Sequence, residues 1–202
     1  MKILAFADMH DNNAAFERLK EKAKKADILI CAGDLTIFEN NIEKLLNKLN
    51  RLNKQVLMIP GNHEDPNSLK LIVDQFENII NIHKLSFIKD NCLFLGYGDG
   101  GFSMIDRNFE KASKNFEKEI KKFRENNKDA RIILATHAPP YNTNIDKIGK
   151  NPCGVKNIKD FILKVRPDLA IAGHLHENAK KRDKVKNTII INPGADGEII
   201  DL

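Results

Sequence analysis

The amino-acid sequence predicts an α/β fold, with a mixed β-sheet or two stacked sheets covered by helices. Three observations point there. Short apolar runs alternate with amphipathic helical stretches through the first two thirds of the chain, the order that builds parallel strands with helical crossovers. Closely spaced strand-like runs without helices between them then add antiparallel pieces. The length of 202 residues, 42% of them hydrophobic, suits a single domain over 1–202 that buries its core without covalent staples.

The elements follow in order. A first strand runs through residues 3–7. Residues 14–25 form a helix, with Ala15, Leu19 and Ala23 on one face. After a strand at 28–32, residues 41–52 repeat the pattern with Ile42, Leu45, Leu46 and Leu49. A strand at 56–59 leads to a third helix at 67–76, with Asn67 as its cap. Three strands are expected at 79–83, 85–89 and 92–97, the first two pairing antiparallel with the third. The longest helix is 107–126, turning Phe109, Ala112, Phe116, Ile120 and Phe123 inward. A strand at 132–135, a short helix at 157–165 before Pro167 and a strand at 169–172 follow. Strands at 188–192 and 198–201 close the chain around a turn-prone segment. Segments 96–106 and 138–156 are irregular, and the second is long for a loop in a compact domain.

Composition narrows the partners. The formal net charge is +5 and the pI about 9.0. Lysines crowd 20–25, 118–122 and 180–186, which could draw in phosphate-bearing substrates or nucleic acid. Glu17, Glu21, Glu117 and Glu119 are interleaved with them, so solvated helix faces are the favoured reading. No basic strand rich in aromatics offers a platform for stacking bases. Cys31 and Cys92 lie in apolar runs and read as buried hydrophobes. Cys153 lies in an Asn-Pro-Cys-Gly loop. No CxxC spacing is present, and a reducing cytoplasm is the expected setting. The first strand starts at Lys2, so no leader segment is expected. No apolar run is long enough to span a bilayer, and no membrane partner is expected.

The chemistry-bearing residues sit at strand ends. Asp8-Met9-His10, Gly33-Asp34, Gly61-Asn62-His63-Glu64, Thr136-His137 and Gly173-His174-Leu175-His176 each follow an apolar run. Loops at the carboxyl ends of parallel strands converge on one rim of a sheet. The set Asp8, His10, Asp34, Asn62, His137, His174 and His176 is a collection of oxygen and imidazole donors without a thiolate, a metal site in ligand type. Seven donors suit two ions, with Asp34 able to bridge them. Each motif alone has a plain alternative: Gly61-Asn62 as a turn, Asp8 or Asp34 as helix caps, His174 and His176 as loop residues. His83 has no partner motif and reads as a structural or surface histidine.

These five motifs, in this order over residues 8–176, resemble the calcineurin-like metallophosphoesterase superfamily. The resemblance implies a four-layer αββα sandwich of two facing mixed sheets. It implies that Asp8, His10, Asp34 and His176 hold one divalent ion and that Asp34, Asn62, His137 and His174 hold the other. Manganese is the family-level expectation, with Fe, Ni, Zn or Co also compatible. The implied reaction is hydrolysis of a phosphoester by in-line attack of a bridging hydroxide. His63 is then the general acid that protonates the leaving group and, with Asn62, contacts the substrate. Glu64 either orients an imidazole from behind or marks a helix start.

Several branches do not match. The protein serine/threonine phosphatases carry an arginine before the G-N-H motif, where Pro60 stands here. No tyrosine lies beside an aspartate in the way purple acid phosphatases need, and no capping domain follows as in recombination nucleases. A small stand-alone phosphodiesterase is favoured. A phosphomonoesterase or a nuclease is the alternative, and a non-catalytic scaffold on the same fold is disfavoured because every matched position is filled. A small phosphoester is the expected substrate, with nucleic acid not favoured and the oligomeric state open. Tyr141 and Asn142, just after His137, are candidates to touch substrate.

Overall fold

The computed structural model describes residues 1–100 and 103–202. In chain order the elements are β1 (Lys2–Phe6), α1 (Asn13–Ala23), β2 (Ile28–Cys31), α2 (Ile42–Asn50), β3 (Val56–Met58), α3 (Pro66–Val73) and β4 (Ile79–Asn81). Then come β5 (Leu85–Lys89), β6 (Cys92–Tyr97), α4 (Arg107–Asn126), β7 (Arg131–Thr136), β8 (Lys147–Ile148) and β9 (Asn151–Pro152). The chain ends with α5 (Lys156–Val165), β10 (Leu169–Ile171), β11 (Arg182–Val185), β12 (Thr188–Ile191) and β13 (Glu198–Asp201).

Two mixed sheets face each other. One has the order β13-β1-β2-β3-β4 and the other β11-β12-β10-β7-β6-β5. Alternation along β1 shows why they stack. Leu4 and Phe6 pack with Phe16 and Leu19 of α1, while Ile3 and Ala5 join Ile133, Ile171 and Ile191 from the other sheet. Both faces of the strand are apolar, so the strand reads as a continuous hydrophobic run. On the far side, Phe109, Phe116 and Phe123 of α4 and Phe161 of α5 cover β6 and β7. The result is an α/β fold of four layers, helices outside and sheets within.

Two expectations are corrected, and two features are added to them. β4 does not pair with β6; it lies parallel to β3 at the edge of the first sheet. Only an isolated bridge links His83 to Gly96, whereas β5 pairs antiparallel with β6 as expected. The third helix is capped by Asp65, whose side chain accepts the Asn67 and Ser68 N–H groups, not by Asn67. β11 lies in a lysine-rich stretch that gave no strand signal, because its side chains alternate exposed and half-buried at a sheet edge. β12 and β13 belong to different sheets, so the turn between them carries the chain from one layer to the other.

The 138–156 segment is a folded wall. Buried Asp146 accepts N–H groups from Asn142 and Gly154 on one oxygen and from Thr143 on the other. Ile145 and Val155 are buried. Of the irregular 96–106 segment, residues 101 and 102 lie outside the described residues. Among the described residues no helix is long and apolar enough to cross a membrane.

Candidate metal centre

The rim where both sheets end collects all seven predicted donors and His63. β1 delivers Asp8 and His10, β2 delivers Asp34, and β3 delivers Asn62 and His63. From the other sheet, β7 delivers His137 and β10 delivers His174 and His176. Asp34 is the hub. Its Oδ2 lies 3.5 Å from His137 Nε2, 3.7 Å from His10 Nε2 and 3.9 Å from His63 Nε2. Asn62 Oδ1 lies 3.0 Å from His137 Nε2 and 2.8 Å from His174 Nδ1. His10 Nε2 and His176 Nε2 are 3.0 Å apart. Three sets have donor atoms within 4.8 Å of one another: Asp8, His10 and His176; Asp8, Asp34 and His137; and His10, Asp34 and His63.

Counting protons tests whether cations fit. His10 Nδ1 and His137 Nδ1 face the Thr36 and Ala32 carbonyls at 3.2 and 2.9 Å. A carbonyl only accepts, so both rings carry their proton on Nδ1 and turn the Nε2 lone pair inward. The His137 lone pair then meets the oxygens of Asn62 and Asp34, which are acceptors too. Burial holds the His137 and His10 imidazoles below their ordinary pKa, favouring the neutral, ligating form. Burial also pushes the Asp8 carboxyl up to about 7, aided by nearby Asp34 and Glu64 and opposed by the His174 N–H that it accepts. A cage rich in lone pairs and poor in protons, with no thiolate, is chemically suited to divalent cations.

The backbone is bent to make this cage. Asp8, His10, Asp34 and His174 all have positive φ, at 56°, 46°, 52° and 72°. Such values are uncommon outside glycine and persist where the surroundings over-determine them. Two glycines are required by close approach. A Cβ on Gly61 would collide with the Asp34 carboxylate, and one on Gly173 would lie 2.8 Å from Asp8 Oδ2.

Glu64 does neither of the two things expected of it. It precedes the Asp65 cap, and among the described residues its hydrogen bonds go to Asp34, Thr36 and Gly61 and to no imidazole. One carboxylate oxygen accepts the Asp34 and Gly61 N–H groups at 3.0 and 2.8 Å. The other accepts the Thr36 N–H and hydroxyl at 3.0 and 3.1 Å. The side chain is buried and ties the Gly33-Asp34 loop to the Gly61-Asn62 loop. The missed signal was a carboxylate two residues after Asn62, with glycine-bearing turns on both loops to supply N–H groups.

His63 projects from the same loop, its ring 4.9 Å from His10 and 4.5 Å from Phe38. Its backbone N–H braces the cage, donating to Asp34 Oδ1 at 3.0 Å. Its Nδ1 is buried and meets no partner among the described residues. His63 shares a donor set with His10 and Asp34. His83 is structural: its Nδ1 accepts the Gly98 N–H at 2.9 Å, and burial lowers it to about 4. Tyr141 lies beneath the Lys156 ammonium at 5.1 Å, and Asn142 donates its N–H to Asp146.

Known proteins share this fold. The model of the calcineurin-like phosphoesterase family matches residues 1–178. The uncharacterized protein MJ1162 of Methanocaldococcus jannaschii is 29% identical over 201 residues, covering 96% of this chain and 88% of the relative. The crystal structure of TT1561 from Thermus thermophilus superposes with a TM-score of 0.76 at 18% identity, over 96% of this chain and 88% of that one. A dimetal phosphatase from Danio rerio superposes with a TM-score of 0.66 at 12% identity, over 95% and 86% of the two chains. At these identities the two structures speak for the fold.

Proposed function

The chain belongs to the calcineurin-like phosphoesterase family and is thus a hydrolase of phosphoric esters, and from that premise we propose that it cleaves a phosphodiester with two divalent ions and His63 as general acid. The observation that carries the reading is the His137 Nε2 lone pair facing the oxygens of Asp34 and Asn62 with no proton between them. Asp8, His10, Asp34 and His176 would hold one ion, and Asp34, Asn62, His137 and His174 the other. Bound there, the ions supply acidified water and positive charge against the phosphoryl oxygens. Manganese suits an all-nitrogen-and-oxygen donor set.

The remaining work falls to the chain. The Asn62 amide and the His63 ring line the approach and orient the ester. As the water oxygen bonds to phosphorus, the bond to the leaving oxygen breaks, and His63 hands that oxygen its proton. Glu64 keeps the Asp34 and Asn62 loops at a fixed separation while this happens. The diester preference is supported by Pro60, which stands where a phosphate-gripping arginine would serve a dianionic monoester. It is also supported by the carboxylates of Glu39, Asp65 and Asp99 beside His63, which would repel a second negative charge. Three unpaired cysteines support a reducing compartment such as the cytoplasm.

The test is turnover of para-nitrophenyl phosphate and bis(para-nitrophenyl) phosphate with Mn, Mg, Ni or Zn, and with a chelator. Hydrolysis should require metal and favour the diester. A clear monoester preference would overturn the diester assignment, and no hydrolysis with any metal would overturn catalysis itself.

A further inference from the structure

A hollow of about 480 Å³ opens beside His63, lined by Phe38, Glu39, Asn62, His63, Asp65 and Asp99 among others. It shares Asn62 and His63 with the metal cage but lies outside it. A general acid must be within hydrogen-bond reach of the oxygen it protonates, so the departing half of a substrate lies on the His63 side of the phosphorus. The hollow is on that side.

Phe38 is the unusual wall. It is 72% exposed and stands against the His63 ring at 4.5 Å. Its φ is 50° and that of Glu39 is 60°, a conformation that is a genuine outlier for a bulky side chain. The ring is held outward, tilted by 54° against the acid and largely open to solvent. An exposed aromatic presented at such a cost in backbone strain points to a ligand contact.

The charge of the walls tells what kind. The chain carries +5 overall, yet among the described residues no lysine or arginine lines the hollow, and Glu39, Asp65 and Asp99 do. Backbone N–H groups hold these three in place. Glu39 Oε1 accepts the Asp65 N–H at 2.8 Å, Asp65 Oδ1 caps α3, and Asp99 Oδ1 accepts the Gly100 N–H at 2.7 Å. All three carboxylates turn the negative charge of the hollow's lining towards a guest. An aromatic face flanked by carboxylates is the chemistry that receives an ammonium or quaternary ammonium group.

We infer that this hollow seats the leaving group and selects an alcohol that carries a cationic amino group. The inference rests on phosphoester hydrolysis at the neighbouring cage and deepens it by naming the substrate class. Its test uses two ligands that cannot be cleaved on the leaving-group side. They are monomethyl 3-(trimethylammonio)propylphosphonate and its neutral isostere, monomethyl 4,4-dimethylpentylphosphonate. Calorimetry on the metal-loaded full chain measures the dissociation constant of each, and turnover of bis(para-nitrophenyl) phosphate is followed separately. The cationic ligand should bind roughly three- to thirtyfold more tightly, the span expected of a cation over an aromatic face. In Phe38→Ala and in Asp99→Asn that ratio should fall towards one. Equal binding of the two ligands by the wild type, or an unchanged ratio in both variants, would overturn the inference even with diester turnover intact. Loss of diester turnover with the ratio retained would instead remove the catalytic reading and leave the cation subsite standing.

Discussion

Replacing Glu64 with glutamine should destabilise the protein far more than a one-atom change at a surface would. The carboxylate takes two donors on each oxygen, all four within 3.1 Å. Glutamine keeps one oxygen and turns an NH₂ towards the other pair. If that pair is Thr36's, the hydroxyl can rotate to accept, but the backbone N–H cannot, so one buried donor is stranded. That costs about 1–3 kcal/mol. Loss of the charge that strengthens the remaining bonds costs a further ~1–2 kcal/mol. The sum is about 2–5 kcal/mol, and for a domain of this size each kcal/mol moves the melting midpoint by about 2–4 °C. Metal-free Glu64→Gln should therefore melt about 4–20 °C below metal-free wild type. Scanning calorimetry at about pH 8 checks this, the alkaline buffer keeping ionised a carboxyl whose pKa burial raises. Measuring without metal keeps weakened ion binding out of the comparison. A midpoint within about 1 °C of wild type would refute the claim that Glu64 braces the two loops.

Three other outcomes are expected. Elemental analysis after gel filtration should approach two ions per chain in wild type, and Asp34→Asn should lose occupancy at both positions; saturation at one ion, or full loading of the variant, breaks the bridging assignment. His63→Ala should keep its metal and slow turnover by roughly 10²–10⁴, with the larger loss on alkyl esters, whose leaving oxygen needs the proton more than para-nitrophenolate does; metal loss would make His63 a ligand. In the metal-free protein Asp8 is raised to about 7 by burial from about 3.9 unfolded, so the folded state holds an extra proton and loses stability as pH rises through that window. Urea midpoints for metal-free Asp8→Asn should accordingly gain on wild type between about pH 4 and about pH 7, and the order should reverse with saturating metal.

The sequence was most informative where residue type and position coincide. Each donor follows a buried strand, and strand ends in a parallel arrangement have one place to meet, so the rim was legible from Asp8 to His176. Helix α4 was legible to the residue because its aromatic stripe and its length agree, and the structure adds Asp106 as its cap. What was missed depended on partners far away in sequence. Ile79-Ile80-Asn81 has the same apolar signature whether it joins β3 or β6, and only three-dimensional packing chooses. β11 is a wet edge strand whose lysines mimic a solvated loop. Glu64 is a carboxylate among carboxylates until the N–H groups of Asp34, Thr36 and Gly61 are seen around it. Phe38 looks like any loop hydrophobe, because exposure is not written in the sequence.

The proposed ligands are shared between the two layers of the sandwich. Asp8, His10, Asp34 and Asn62 hang from the first sheet, and His137, His174 and His176 from the second. Under that assignment neither half of the chain carries a complete set for either ion. A nascent or partly unfolded molecule with one sheet formed would be catalytically silent, however well ordered that sheet was. Hydrolytic competence then appears only when the halves have docked in register, so enzyme activity doubles as a readout of finished assembly. The same arrangement makes each ion a rivet between layers, and chelation should loosen the seam between the sheets before it disturbs either sheet from within.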